Sequence, residues 1–286
     1  MFERTTDFLV AIDSDGCAFD TMELKHKECF IPNTIKYYEL QAVSRFAREA
    51  AEFVNLYSKR RGVNRFPALV ETLEWLQQRP EVAARGVAID IPQSLREWAY
   101  RDGPLSNPAL EERLAERDDP VLRHALRWSE AVNRTIADMV HGVPPFPGVR
   151  EVLERLQGTA DCIVCSATPN EALRKEWAEH GIDQYVAGIF GQEAGSKKET
   201  LRNAARYPAR QTLMIGDAPG DERAARANNA LFFPILPGDE EASWQRLLHE
   251  GLDRFLSGTF DGDYQAELMA EFDRVLPERP PWLAAS

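Results

Sequence analysis

Two aspartates, Asp13 and Asp15, stand directly after the apolar run Phe8-Leu-Val-Ala-Ile12, and Gly16 follows them. Such a run reads as a strand covered on both faces, so two acids at its carboxyl end need a reason. Alternation along an extended chain puts both on one side, facing one small volume. Carboxylates that close repel unless a cation, a donor or a proton intervenes. A second apolar run, Thr212-Leu-Met-Ile-Gly216, also ends in an acid, Asp217, and Asp221 comes four residues later. Acids gathered from several strand ends make a hard oxygen cage, which suits a Mg2+ ion that keeps some of its waters. Asp221 reads equally well as a cap of the helix it begins.

Two further segments could handle an anion. Ser166-Ala167-Thr168-Pro169 offers a hydroxyl and free backbone N–H groups at the start of a helix, although a plain cap by Thr168 accounts for the same residues. Gly195-Ser-Lys-Lys-Glu199 opens another helix, with Ser196 and Glu199 forming a capping-box pattern. Lys197 and Lys198 then stand in the first turn, where positive charge opposes the helix dipole unless an anion sits nearby.

These residues are far apart in sequence, and a parallel sheet is what can gather them. Beyond the first strand, the pattern predicts a helix over 148–157, a strand over 161–166, a helix over 169–180 and a strand over 186–190. Strands within 211–216 and 230–235 follow, with helices between them. Residues 22 to about 140 show helical periodicity with almost no strand pattern. Val43, Phe46, Ala50, Phe53 and Tyr57 predict one helix over 32–60, Pro67 opens a second, and a third runs over 120–141. Gly142-Val-Pro-Pro-Phe-Pro-Gly-Val149 is a rigid link back to the sheet. The fold class is therefore α/β: a parallel Rossmann-like sheet core from 1–19 and 144–236, an inserted helical cap over 20–143, and a C-terminal helical tail over 237–286 packed on the core.

Composition narrows the partners. With 46 acidic against 34 basic residues in 286, the formal charge is -12, which argues against nucleic acid or an anionic membrane surface. No segment approaches a membrane span or a signal peptide, so a cytoplasmic protein acting on a small molecule is expected. Cys17, Cys29, Cys162 and Cys165 are too few for a disulfide scaffold, and Cys162-Ile-Val-Cys165 reads as strand core rather than a zinc or redox motif.

Asp13 to Thr21, then Ser166, then the lysine, then Gly216-Asp-Ala-Pro-Gly-Asp221 resemble, in order, the four motifs of the haloacid dehalogenase-like hydrolase superfamily. The resemblance covers the sheet domain and matches the cap by position. It implies that Asp13 attacks phosphorus to form an aspartyl-phosphate and that Asp15 serves as acid and then base. It further implies Mg2+ bound by Asp13, the backbone carbonyl of Asp15 and Asp217, with Asp221 behind them or acting through water. Ser166 and the amide of Ala167 would hold a phosphoryl oxygen. Lys197, preferred to Lys198 because Leu201 then turns inward, would neutralise its charge. An acid at position 15 points to phosphate esters, as in a phosphatase, with a phosphomutase or a non-catalytic phospho-binding module as the alternatives. Cys17 stands where the superfamily usually has threonine. In the cap, Lys59, Arg60, Arg61 and Arg65 either solvate a helix end or reach a second anionic group of the substrate.

Overall fold

The structure, a computed structural model, describes residues 2–203 and 207–283. The chain divides into two compact units: Met1–Met22 with His141–Leu276, and Glu23–Val140 with Pro277–Ser286.

The first unit is built on five parallel strands: β1 (Phe8–Ile12), β2 (Ala160–Cys165), β3 (Gly188–Phe190), β4 (Thr212–Gly216) and β5 (Leu231–Pro234). Their order is β3-β2-β1-β4-β5, so β1 is central. The register pairs Ile12 with both Val164 and Ile215, which levels the carboxyl ends of β1, β2 and β4. The chain runs outward from β1 on one side and then returns to its other side, placing a topological switch between β1 and β4, where open α/β sheets bind ligands.

Period-two alternation splits the strand side chains between two apolar clusters. Val10, Ile12, Val164, Ile215 and Phe233 join Trp177, Trp244 and Phe255 on one face. Leu9, Ala11, Ile163, Met214 and Phe232 join Leu201 and Phe272 on the other. The C-terminal helices thus contribute to both faces, and the Trp244 indole N–H donates to the Cys17 carbonyl at 2.8 Å, tying them to the loop after β1. Cys162 and Cys165 are buried in β2, where burial pushes each thiol up to about 12. That is the chemistry of core residues.

The second unit is helical around its own apolar cluster, including Phe46, Leu69, Leu73, Leu95 and Trp128. The single helix expected over 32–60 is instead interrupted. Ile31–Tyr37 ends with Glu39 in a left-handed conformation (φ 54°), and a new helix starts at Ser44 and runs to Asn55. A left-handed residue just past a helix end is a normal stop signal, usually met by glycine, which is why no glycine or proline announced this one. The tail also differs from expectation. Helix Asp263–Val275 packs in the first unit, but the segment from Pro277 belongs with the second, where Trp282 lies over the Arg79 guanidinium at 3.8 Å and edge-on to Phe53. Residues 284–286 of the expected tail lie outside the described residues. Among the described residues, no helix is long and apolar enough to cross a membrane.

Candidate active site

The levelled strand ends bring Asp13, Asp217 and Asp221 into one buried cluster, with a carboxylate oxygen of each within 4.8 Å of the others. Asp13 leaves β1 with its N–H still in the sheet, donating to the Ile215 carbonyl at 3.0 Å. Its two oxygens have separate partners: Oδ1 accepts the Ser14 N–H at 2.8 Å and Oδ2 meets Lys197 Nζ at 2.5 Å. Burial, with Asp221 and Asp217 adding to it against the attraction of Lys197, pushes the Asp13 carboxyl up to about 8. The same burial and the same acids raise the Cys17 thiol far above its ordinary value, which leaves it an inert packing group rather than a nucleophile.

Lys197 owes its place to the helix it opens. Ser196 and Glu199 form the reciprocal cap, with the Ser196 N–H donating to Glu199 at 2.8 Å and the Glu199 N–H donating back to the Ser196 hydroxyl at 3.3 Å. The first-turn side chain of Lys197 is thereby aimed at the sheet edge, while Lys198 is exposed. Lys197 Nζ bridges Asp13 and Asp221, each at 2.5 Å. Burial alone would make it easier to deprotonate, but the two carboxylates outweigh that and raise it well above the usual lysine value.

Asp221 has two partners. One carboxylate oxygen accepts the Ala218 N–H at 3.1 Å, capping helix Pro219–Ala227, and the other holds Lys197. It is fully buried, and Gly216 makes room for it: a Cβ at position 216 would lie 2.5 Å from the Asp221 carboxyl group.

The Asp15 carboxylate is not among the three that group within 4.8 Å of one another. The chain turns after Asp13, and Gly16 adopts φ 75° to complete the turn. The Asp15 carboxylate is held by two hydroxyls, Thr21 Oγ1 at 2.5 Å and Thr168 Oγ1 at 2.7 Å. Thr168 is therefore no helix cap: its side chain crosses to Asp15, and the following helix, Asn170–Glu179, starts without a side-chain cap at Pro169. Neither threonine was legible as a site residue. The only signal was their position, one at the end of the first motif and one two residues beyond Ser166. Ser166 is buried, with its hydroxyl accepting the Thr168 N–H at 3.3 Å, and Ala167 beside it is exposed.

Within the second unit, the basic cluster is largely engaged by its own surroundings. Arg60 pairs through two nitrogens with Glu71, and buried Arg61 donates to the Leu56 carbonyl at 2.9 Å. Arg65 donates to the Ser129 hydroxyl at 2.8 Å and to Asn133 at 2.7 Å, with its guanidinium over the Phe30 ring. Burial lowers it to about 10. The backbone N–H of Lys59 donates to the Pro277 carbonyl at 3.3 Å. Contiguity in sequence had suggested one cationic patch; the non-helical turn over 57–62, between the helices ending at Asn55 and starting at Arg65, distributes the side chains instead.

The donor set at the sheet edge fits a hard divalent cation. Its ligand atoms are all carboxylate oxygens, they are buried, and one lysine does not balance three acids.

A family model for haloacid dehalogenase-like hydrolases matches residues 9–229. Solved structures with a similar chain path include a haloacid dehalogenase-like family protein from Streptococcus pneumoniae, 16% identical over 93% of this chain and 98% of that one, with a TM-score of 0.45. A candidate phosphoglycolate phosphatase from Lactobacillus delbrueckii subsp. bulgaricus is 16% identical over 88% of this chain and 99% of that one, with a TM-score of 0.49. A haloacid dehalogenase-like hydrolase from Xanthomonas campestris is 12% identical over 88% and 93%, with a TM-score of 0.46. A search of the curated proteins found no match. The family model spans both the β1 and β4 motifs that supply the three buried acids, and the chain belongs to the haloacid dehalogenase-like hydrolases.

Proposed function

We propose that this chain is a Mg2+-dependent phosphohydrolase that acts on a small phosphorylated metabolite through an aspartyl-phosphate on Asp13. The observation that carries this reading is the buried Asp13, Asp217 and Asp221 cluster bridged by Lys197. When bound by Asp13, Asp217, Asp221 and the Asp15 carbonyl, Mg2+ would neutralise charge on the acids and on the transferring phosphoryl group.

An Asp13 oxygen attacks phosphorus, and the bond from phosphorus to the ester oxygen breaks. Asp15 delivers its proton to that oxygen, which leaves as an alcohol. Water then attacks the aspartyl-phosphate while Asp15 takes its proton, releasing inorganic phosphate and restoring Asp13. Thr21 and Thr168 suit both halves of this cycle, because a hydroxyl can donate to the ionised Asp15 and turn to accept from the protonated one. Ser166 and the Ala167 N–H hold a phosphoryl oxygen, and Lys197 balances its charge.

Several groups are required because the barrier is large. Catalysed phosphate-monoester hydrolysis can be accelerated about 10^21-fold, equivalent to about 29 kcal/mol. A single preorganised donor supplies about 3 to 4 kcal/mol.

The test is inorganic phosphate release from a panel of sugar and nucleotide monophosphates with Mg2+, using wild type and Asp13→Asn. Wild-type release that is lost in the variant is expected. Isomerised product without free phosphate would assign a phosphomutase, and no Mg2+-dependent turnover on any substrate would leave a phospho-binding module.

A further inference from the structure

Ser14 lies between the two proposed catalytic acids, yet its side chain points away from their chemistry. It is fully buried, and its hydroxyl has two partners on helix Asn170–Glu179: the Trp177 indole N–H donates to it at 3.0 Å and it donates to Glu176 at 2.9 Å. Its backbone is equally committed. The N–H donates to Asp13 Oδ1, and the carbonyl accepts N–H groups from Cys17, Ala18 and Phe19 at 3.3, 2.9 and 3.1 Å. Trp177 also packs edge-on against Phe19, with ring centroids 5.8 Å apart, so one side chain grips both ends of the turn over 14–19.

Helix Asn170–Glu179 is connected at its other end to Asp15. The Ser166–Thr168 loop leads directly into it, and Thr168 holds the Asp15 carboxylate. One helix therefore sets the nucleophile turn through Glu176 and Trp177 and carries the phosphate-holding loop at its start. The partners of Ser14 are 162 and 163 residues away in sequence, so no local pattern indicates them.

We propose that Ser14, Glu176 and Trp177 are positioning residues for the reaction: they fix the Ser14 backbone, and through its N–H the Asp13 carboxylate, in register with the loop that holds the phosphoryl group. Displacing reacting atoms by about 1 Å costs about 100-fold in rate. The substitutions alter contacts of the nucleophile turn and none of Ser166, Ala167 and Lys197, the groups that bind the phosphate. Loss of the contact thus lowers kcat while KM stays nearly constant.

This inference rests on the phosphohydrolase reading, and the experiment separates the two. Steady-state kinetics on an aryl phosphate with Mg2+ would compare wild type with Ser14→Ala, Glu176→Leu, Glu176→Gln and Trp177→Phe, together with thermal unfolding of each. Expected are losses of about 10- to 100-fold in kcat for Ser14→Ala and Glu176→Leu, with KM within about threefold. Glu176→Gln, which keeps an oxygen acceptor for the Ser14 hydroxyl, should recover most of the loss. The Trp177 indole N–H resonance, assigned by its disappearance in Trp177→Phe, should shift in Ser14→Ala. If wild type releases no phosphate, the functional reading fails and takes the inference with it. If wild type turns over and Ser14→Ala matches it, only the inference fails. Equal changes in kcat and KM, or Glu176→Gln as impaired as Glu176→Leu, also overturn it.

Discussion

Replacing Asp217 by asparagine should stabilise the protein in the absence of divalent metal while abolishing its activity. The carboxylate lies within 4.8 Å of oxygens of Asp13 and Asp221. At an effective dielectric constant near 20, one like-charge pair at that distance costs about 3 kcal/mol, so the two together cost about 7 kcal/mol. Lys197 bridges Asp13 and Asp221 and offsets part of this, so neutralising position 217 should gain on the order of a few kcal/mol. The sign with pH follows from Asp13. Its carboxyl is raised from 3.8 to about 8, so the native state holds a proton that the unfolded chain has released, and stability falls as pH rises between those values. At pH 6 that proton relieves part of the repulsion; at pH 9 it is gone. The advantage of Asp217→Asn should therefore be larger at pH 9 than at pH 6. Urea unfolding in chelator at the two pH values reads this directly. A second set with Mg2+ tests the cation, since saturation a hundredfold above Kd stabilises the wild type by about 2.7 kcal/mol, most of which the variant should lose. A variant no more stable than wild type in chelator at pH 9, or one that Mg2+ stabilises equally, refutes the electrostatic account of this site.

Two further outcomes follow from other parts of the first unit. Asp161 is buried at the start of β2 and accepts bonds from Thr5 and Thr6 and, at 2.6 Å, from the Tyr207 hydroxyl; burial would raise it, but these bonds hold it at about 2. Because this carboxyl is depressed, its contribution of about 2 kcal/mol is present above pH 4 and lost as pH falls through about 2, so Asp161→Asn should be less stable than wild type at pH 7 and converge with it near pH 2. A gap in unfolding midpoints that persists at pH 2 would contradict this. Gly216→Ala puts a Cβ 2.5 Å from the buried Asp221 carboxyl, which must move and take Lys197 with it. Overpacking of this kind costs about 1–3 kcal/mol, so a folded variant with strongly reduced kcat is expected, and unchanged kcat would show that Asp221 need not be held where it is.

What was legible in the sequence was what local pattern encodes. An unbroken apolar run followed by acids marks β1 and β4, and the conflict between two lysines and a helix dipole marked the turn that carries Lys197. Parallel connectivity then required Asp13, Ser166 and Asp217 to emerge at one edge. Contacts chosen by tertiary packing were hidden. Thr168 has the ordinary look of a residue before a helix, and only a partner 153 residues away, Asp15, draws its hydroxyl elsewhere. Glu39 stops a helix without glycine because packing in the second unit selects the turn. Trp282 could not be assigned to that unit from its own neighbours, since its seat is made by Arg79 and Phe53, both distant in sequence.

The placement of Arg60, Arg61 and Arg65 changes where substrate selectivity should be sought. A guanidinium already bonded to Glu71, or to a backbone carbonyl in a buried position, would have to give up that partner to bind an anionic substrate. For Arg61, that exchange leaves the Leu56 carbonyl without its donor in a buried place, a cost of about 1–3 kcal/mol before any substrate contact is made. At the sheet edge, Lys197 is likewise engaged, by Asp13 and Asp221, but there its partners are the acids of the candidate site itself. Arg60, Arg61 and Arg65 are thus engaged within the second unit, and the buried acid cluster with its lysine lies in the first.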